Sequence, residues 1–262
     1  MKIGFIGAGN MGGAIAKAVS KASVNAEIYV ADYFADKAEE LAALIGGKAS
    51  DNASIVKSCD YVFLGVKPQV LGSVLEGIAE VKKQDTVFIS MAAGVTISTI
   101  QGKLGESAKI IRIMPNTPVS VGSGMVLYAC SNSVTDEEEK AFLSAMEKAG
   151  QLDKLAEHLI DAGCAVSGCG PAFVYLFAEA LADGGVACGL PRDKAQNYAA
   201  QMIYGAADLL RQSGKCPGEL KDAVCSPGGS TIRGVLALEE HGMRGAVMDA
   251  VMDAFRRTVE LG

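Results

Sequence analysis

Six residues near the start of the chain have the types and spacing of a dinucleotide-binding loop. Gly7-Ala8-Gly9-Asn10-Met11-Gly12 matches the pattern G-x-G-x-x-G, between a strand-like apolar run and a helix-like segment. Gly7 permits a tight turn, Gly9 lets the backbone approach a pyrophosphate, and Gly12 lets the helix pack close to the strand. Free N–H groups at the helix start would face the phosphates. This context favours a dinucleotide site over a purely structural turn.

The residue that ends the second predicted strand bears on the choice of cofactor. Asp32 lies 20 residues after Gly12, where an acid commonly binds the hydroxyls of the adenosine ribose. A carboxylate there would repel a 2′-phosphate, and the next residue is Tyr33 rather than Arg. The sequence therefore favours NAD(H), with NADP(H) left open. Asp32 could also simply cap the following helix, and the two roles are compatible.

Three further strand ends carry residues suited to a cofactor cleft. They are Val66-Lys67-Pro68, the segment Ser90–Gly94 and the segment Arg112–Pro118. The carboxyl ends of parallel strands share one edge of a sheet, which is where open α/β sheets bind ligands. Lys67 is expected to face the cleft, and the small residues after Ser90 would admit a flat ring or a ribose. Each segment could be only a turn, but together they favour a cleft.

A second glycine-containing segment lies far from the first. Ser226-Pro227-Gly228-Gly229-Ser230-Thr231 precedes a helix-like run. Backbone N–H groups, two hydroxyls and a helix N-terminus together could hold a carboxylate without any cation. The alternative is an ordinary turn between helices in which Ser230 or Thr231 is the N-cap. The residues alone leave both possibilities open.

The chain lacks the residue sets of several common enzyme classes. His158 and His241 are its only histidines, and they give no Ser-His-Asp or Cys-His arrangement. A carbonyl reductase usually needs a proton donor for the developing alkoxide. An imine that arrives protonated needs only a hydride, and a hydrogen-bonding hydroxyl would then suffice.

The alternation of strand and helix patterns predicts the elements that must position these residues. Residues 1–157 are predicted to form a Rossmann-like parallel-sheet domain, and residues 158–262 an all-α dimerisation domain, giving an α/β protein overall. Thr135 and Glu138 have the spacing of a capping box that opens a helix. Several later helices are apolar on more than one face, which indicates burial between subunits. The predicted strands are Ile3–Ile6, Glu27–Ala31, Tyr61–Val66, Thr86–Ser90, Ile110–Met114 and Met125–Ala129; the helices are Met11–Lys21, Ala35–Ile45, Gln69–Glu80, Ile97–Leu104, 135–148, Pro171–Cys188, Pro191–Gln212, Glu219–Val224, Thr231–Glu240 and Arg244–Glu260.

Composition narrows the class of protein further. The 262 residues carry a net charge of −6, which argues against nucleic-acid binding. The first apolar run breaks at Gly7, so it does not predict a signal peptide, and no membrane span is expected. The seven cysteines form no C-x-x-C pair, so we expect reduced thiols, no metal site and a cytoplasmic location.

The chain resembles the pyrroline-5-carboxylate reductases nearly from end to end. The segments Leu220–Thr231 and Glu179–Arg192 are the most specific, whereas the glycine loop alone would not distinguish this family from others. The full resemblance is carried by Gly7–Gly12, Val66–Pro68, Arg112–Pro118, Ser167–Pro171, Glu179–Gly185, Gly189–Arg192 and Leu220–Gly229.

This resemblance implies an activity and a site. Hydride would pass from NAD(P)H to the C=N carbon of 1-pyrroline-5-carboxylate, giving L-proline in the last step of proline biosynthesis. Thr231 would be catalytic through a hydrogen bond to the ring nitrogen, and the substrate would contact Ser226, Gly229, Ser230, Thr231 and Glu157. The family forms dimers with interlocked helical domains, often assembled into decamers. The implied cofactor contacts are Ile6, Gly7, Ala8, Gly9, Asn10, Met11, Gly12, Asp32, Asn52, Val66, Lys67, Pro68, Met91, Ala92 and Ala93.

Two departures from the family pattern concern the cofactor. Asp32-Tyr33 stands where many members have an Asn-Arg or Ser-based phosphate grip, and Ala223 stands where some relatives have Asn. These departures put NADPH in doubt but leave the reaction unchanged.

The sequence leaves two alternative functions to be weighed. A β-hydroxyacid dehydrogenase would need a lysine on the helix after Ser167–Pro171, and 173–189 contains none. A non-catalytic dinucleotide-sensing protein belongs to a different class, and the intact loop Ser226–Thr231 favours a working enzyme.

Overall fold

The computed structural model describes residues 1–260, whose strands form one eight-stranded sheet. The strand order is β3-β2-β1-β4-β5-β6-β7-β8, so its first six strands have the dinucleotide-binding order 3-2-1-4-5-6. These six are parallel, whereas β7 is antiparallel to β6 and pairs in parallel with β8. The predicted parallel sheet is therefore a mixed one. The strands are β1 Lys2–Ile6, β2 Glu27–Ala31, β3 Lys48–Ala49, β4 Tyr61–Leu64, β5 Val87–Ser90, β6 Lys109–Pro115, β7 Gly124–Cys130 and β8 Gly150–Lys154.

Helices cover both faces of this sheet, and their ends follow local chemistry. Asp51 and Thr96 cap α3 and α5 by accepting from backbone N–H groups, and Pro68 begins α4. Thr135 and Glu138 form the predicted capping box of α6. The helices are α1 Asn10–Ser20, α2 Ala35–Ile45, α3 Asn52–Ser58, α4 Pro68–Ile78, α5 Ile97–Leu104, α6 Asp136–Ala145 and α7 Ile160–Ser167.

The apolar core lies in two layers, one on each face of the sheet. Ile15 of α1 and Phe142 of α6 pack in the layer that includes Phe5 and Phe63, whose rings stack with centroids 4.7 Å apart. Ile55, Leu71 and Ile100 pack from α3, α4 and α5 in the other layer. The strands β1, β4, β5 and β6 are buried on both faces, which explains why they are continuous apolar runs in the sequence.

Five helices follow: α8 Gly170–Ala187, α9 Arg192–Ser213, α10 Pro217–Ala223, α11 Ser230–Glu240 and α12 Met243–Glu260. Contacts divide the chain into two compact units, Gly170–Asp253 and Met1–Cys169 with the chain from Ala254 onward. The predicted boundary after Glu157 differs from this division by one helix, α7, which packs against β7. That boundary stays a prediction.

The unit Gly170–Asp253 has little core of its own. Its buried apolar side chains are Ala182, Ala195 and Ala199, where α8 and α9 pack together. Large apolar side chains such as Leu176 and Tyr204 are 69% and 66% exposed. So large an exposed apolar surface indicates that another protein chain covers this unit.

One helical run, Glu157–Ala187, is long and apolar enough to cross a membrane by length and composition alone. The expectation from the sequence that no segment has the length and composition of a membrane span was therefore wrong, although one such run is weak support for a span. The prediction that the protein has no membrane partner stays a prediction.

Several elements differ from the sequence-based prediction, for physical reasons. The strand β8 was missed because its residues Gln151, Asp153 and Lys154 are polar on an edge strand. The helices α3 and α7 were missed because they are only 7 and 8 residues long. The helix α6 ends at Ala145 rather than at Lys148.

Candidate functional site

The glycine loop joins β1 to α1, and its glycines divide into two kinds. Gly7 has φ +107°, and a Cβ on Gly12 would lie 2.2 Å from the carbonyl oxygen of Gly7. Both positions therefore require glycine for the fold itself. A Cβ on Gly9 would meet no protein atom within 4 Å, so the space beside Gly9 is open. The start of α1 is therefore accessible to a ligand at Gly9, where the spacing predicts a pyrophosphate.

Sequence reasoning missed Gly65, which lies just after β4. A Cβ there would lie 2.9 Å from the carbonyl oxygen of Gly7 and 3.1 Å from the Cα of Gly12. The glycine loop therefore needs a glycine across from it as well. Only the pairing of β1 with β4 brings these residues together, and no local pattern indicates it.

Asp32 holds the glycine loop in place. Its Oδ2 accepts from the N–H of Ala8 at 2.7 Å, and its Oδ1 accepts from the N–H of Phe34 at 3.0 Å. The second bond is a turn before α2, which begins at Ala35 with Phe34 as its N-cap. Asp32 is therefore not the N-cap of this helix. Its carboxylate carries negative charge at the carboxyl end of β2, where the sequence placed it.

A cleft of about 1110 Å³ opens along the carboxyl ends of β1, β2 and β4. It contains many of the predicted cofactor residues, namely Ile6, Gly7, Gly9, Asp32, Asn52, Val66 and Lys67. Ala8, Asn10, Met11 and Gly12 belong to the same loop and helix start, but they do not line the cleft. Pro68 begins α4 beside Lys67, which is its N-cap. The three residues Met91, Ala92 and Ala93 follow β5, the next strand, and also lie outside the lining.

Charges of both signs line this cleft. Its acidic residues are Asp32, Glu39 and Asp51, and its basic residues are Lys37 and Lys67. Hydrogen bonds from the Ser54 hydroxyl and backbone N–H lower the pKa of Asp51, which keeps that carboxylate negative. Tyr33, which follows Asp32 and also lines the cleft, is 94% exposed. The cleft therefore has no cluster of cations around Asp32.

The first residue of the predicted cleft segment Arg112–Pro118 is a buried arginine on β6, and its ion pairs were not predicted. Arg112 is 1% exposed, and its Nη2 donates to Oδ1 of Asp161 at 2.6 Å. Its Nη1 lies 3.5 Å from Oε1 of Glu157. Glu157, a predicted substrate residue, is therefore already engaged by protein groups. Burial raises the pKa of the nearby Cys164 thiol to about 11, so this cysteine is not a nucleophile at neutral pH.

In the other unit, the segment Ser226–Thr231 leads directly into α11. Gly229 is the N-cap, and no side chain caps the helix. The alternative reading, with Ser230 or Thr231 as N-cap, was therefore wrong. Within residues 1–260, the hydroxyls of Ser230 and Thr231 have no hydrogen-bond partner, and both residues are exposed. The N–H of Gly229 donates to the carbonyl oxygen of Ser226 at 3.0 Å, whereas the first N–H groups of α11 have no intrahelical acceptor.

The described residues hold no three His, Cys, Asp or Glu side chains arranged to bind a metal ion. All seven cysteines are free thiols in this structure.

Comparison with known proteins bears on the whole chain. Residues 157–261 match the family model described as pyrroline-5-carboxylate reductase dimerisation, and residues 2–94 match NADP oxidoreductase coenzyme F420-dependent. A pyrroline-5-carboxylate reductase of Methanosarcina acetivorans is 41% identical, over 100% of this chain and 98% of its own length. The chain belongs to the pyrroline-5-carboxylate reductase family.

Solved structures of reductases in this family have the same fold. The Coxiella burnetii reductase is 30% identical with a TM-score of 0.92, over 99% of this chain and 98% of its own. The Plasmodium falciparum reductase, with NADP bound, is 32% identical with a TM-score of 0.90, over 100% of this chain and 98% of its own. The cofactor class is therefore a nicotinamide dinucleotide. Membership of this family argues against the alternative function of a β-hydroxyacid dehydrogenase.

Proposed function

We propose that this chain reduces 1-pyrroline-5-carboxylate to L-proline, using a reduced nicotinamide dinucleotide. The observation that carries the proposal is the N-terminus of α11, which begins at Ser230 within the segment Ser226–Thr231 and which no side chain caps. The family to which the chain belongs is named for this reaction. A substrate with a carboxylate and a ring imine suits exposed N–H groups and hydroxyls. Neither alternative function explains why the hydroxyls of Ser230 and Thr231 at the start of α11 have no internal partner among residues 1–260.

The glycine loop supplies the cofactor side of the proposal. The pyrophosphate would lie against the open side of Gly9 and the first N–H groups of α1, which no side chain caps. The other predicted contacts, from Asn52 to Ala93, are kept as proposals. Once bound, the reduced nicotinamide supplies the hydride for the C=N carbon.

Thr231 and its loop supply the substrate side. The N–H groups at the start of α11 and the hydroxyls of Ser226 and Ser230 would hold the carboxylate, since a helix N-terminus favours an anion. The Thr231 hydroxyl would hydrogen-bond the ring nitrogen as it changes from imine to amine. This requires no ionisable acid, which agrees with the scarcity of histidine.

We propose NADH rather than NADPH as the preferred cofactor. The carboxylates of Asp32, Glu39 and Asp51 line the cleft, and no arginine does. A 2′-phosphate near Asp32 would be repelled, because that carboxylate is fixed by the N–H groups of Ala8 and Phe34. Lys37 is the nearest basic residue along the chain, and its ammonium lies 4.9 Å above the Phe34 ring.

The predictions on partners and location are proposals of the same kind. We propose a homodimer formed through the helical domain, residues 158–262, since the exposed apolar side chains of α8 and α9 need cover. Decamer assembly is kept from the family resemblance, and a cytoplasmic location is kept from the expectation of reduced thiols. The absence of nucleic-acid and metal partners is kept as well.

An assay with purified protein tests the reaction and the cofactor together. Absorbance of the reduced nicotinamide is followed after addition of 1-pyrroline-5-carboxylate, and proline is identified by mass spectrometry. We expect consumption with both cofactors and a higher kcat/KM with NADH. Reactions without substrate serve as controls. No consumption with either cofactor would overturn the proposed reaction, whereas equal kcat/KM values would overturn only the NADH preference.

A further inference from the structure

The ion-paired group around Arg112 connects four segments of the sheet domain. Arg112 lies on β6, Asp161 on α7, and Glu157 in the short turn before α7. Oε1 of Glu157 also accepts from the backbone N–H of Ile97 at 2.6 Å. Ile97 is the first residue of α5, so one carboxylate oxygen bonds both Arg112 and the start of this helix.

Stability alone is a poor explanation for this group. Replacing a buried ion pair with well-packed apolar residues is often neutral or stabilising, because charges cost free energy to remove from water. The Nε of Arg112 is also buried without a hydrogen-bond partner among the described residues. Such incomplete pairing is costly, and proteins tend to keep it where a side chain positions something else.

The segment that Glu157 holds is the turn between β5 and α5. This turn contains Met91, Ala92 and Ala93 and reverses at Gly94, which has φ +75°. Its start is joined to β4, because the N–H of Met91 lies 3.4 Å from the carbonyl oxygen of Leu64. Two hydrogen bonds fix its end. The Thr96 hydroxyl oxygen accepts from the N–H of Thr99, and the Glu157 carboxylate accepts from the N–H of Ile97.

We propose that Glu157 is a positioning residue for the dinucleotide, acting through the Met91–Ile97 turn, rather than a ligand of the substrate. Arg112 fixes the carboxylate, and the carboxylate fixes the end of the turn whose residues face the carboxyl edge of the sheet. An anion at the start of α5 also suits the helix dipole. This inference rests on the proposed function, since the turn is a proposed part of the cofactor site.

Binding of NADH without substrate tests the inference separately from the reaction. The protein has no Trp, so the fluorescence of bound NADH can be read with little interference. We expect Glu157→Ala to weaken NADH binding by about 10-fold, the effect of one lost charge-assisted hydrogen bond. Glu157→Gln keeps an oxygen for the Ile97 N–H and should restore binding to within about 3-fold of the wild type.

Asp161→Ala is the matched control. It also removes one carboxylate from Arg112 but leaves the Ile97 N–H bonded, so it should change the melting temperature more than the NADH affinity.

If Glu157→Ala does not fold, Glu157→Asp, which draws the carboxylate back by one methylene, carries the same test. Unchanged NADH affinity in the folded Glu157 variant would overturn the inference. A higher KM for pyrroline-5-carboxylate at unchanged NADH affinity would instead make Glu157 a substrate ligand. The NADH-binding measurement needs no substrate turnover, so it tests this inference even if the protein does not reduce pyrroline-5-carboxylate.

Discussion

Thr231 is the side chain to which the proposal assigns the most chemistry. It is the second residue of α11, after Gly229 as N-cap and Ser230, and it is exposed. Its hydroxyl is not needed to cap the helix, so it is available to a ligand. The backbone N–H groups at the same helix start would remain in place if the hydroxyl were removed.

We expect Thr231→Ala to lower kcat by about 10-fold or more, since a lost transition-state hydrogen bond costs about 1.4 kcal/mol or above. The melting temperature should change little, because the hydroxyl has no internal partner. Thr231→Ser keeps the hydroxyl and is the matched control. Steady-state kinetics with pyrroline-5-carboxylate measures both. Wild-type kinetics for the alanine variant would remove Thr231 from the site.

At the level of elements, β1, the glycine loop and α1 form one unit with two separable requirements. Gly12 is needed because the helix passes close to the loop backbone, whereas Gly9 faces open space. The same residue type therefore serves packing at one position and ligand approach at the other. Alanine substitutions can distinguish these two uses.

We expect Gly12→Ala to lower the melting temperature by about 5 °C or more, since overpacking costs about 1–3 kcal/mol. Gly9→Ala should leave the melting temperature of the protein unchanged, because its φ of −69° suits alanine and no protein atom is near. It should nevertheless weaken NADH binding by about 10-fold or more, as a methyl group would occupy the cradle. Calorimetry and NADH titration give the two readings. Full NADH affinity in Gly9→Ala would argue against a pyrophosphate there.

At the scale of the whole molecule, the helical unit depends on another chain. Its three buried alanines, Ala182, Ala195 and Ala199, cannot supply the apolar burial that a stable domain needs. The family model that matches this region is a dimerisation domain. Folding and association should therefore be coupled, so the melting temperature should rise with protein concentration.

Leu176 and Leu44 offer a matched pair, since both are leucines in helices and 69% and 66% exposed. We expect Leu176→Glu on α8 to shift the protein from dimer to monomer and to lower its melting temperature. Leu44→Glu on α2 should do neither, because α2 belongs to the sheet domain. Light scattering coupled to size-exclusion chromatography measures the mass. A dimer of unchanged stability in Leu176→Glu would place the interface elsewhere.

The local pattern of residues was enough for much of the fold. The apolar runs of β1, β2, β4, β5 and β6 predicted strands because strands buried on both faces need continuous apolar residues. The cap at Thr135 and Glu138 was read correctly because both of its hydrogen bonds join residues three apart. The strand β8 was missed because an exposed edge strand needs no such run.

By itself, the sequence determined the family, the glycine loop, the acid after β2 and the loop before α11, since each depends on short-range spacing. The tertiary structure alone decided that Gly65 must face Gly7, that Asp32 bonds the loop backbone, and that Glu157 is held by Arg112. These contacts join residues between 24 and 58 positions apart. Such contacts arise only when β1 pairs with β2 and β4 and when the segment around Glu157 reaches β6, so no local pattern can contain them.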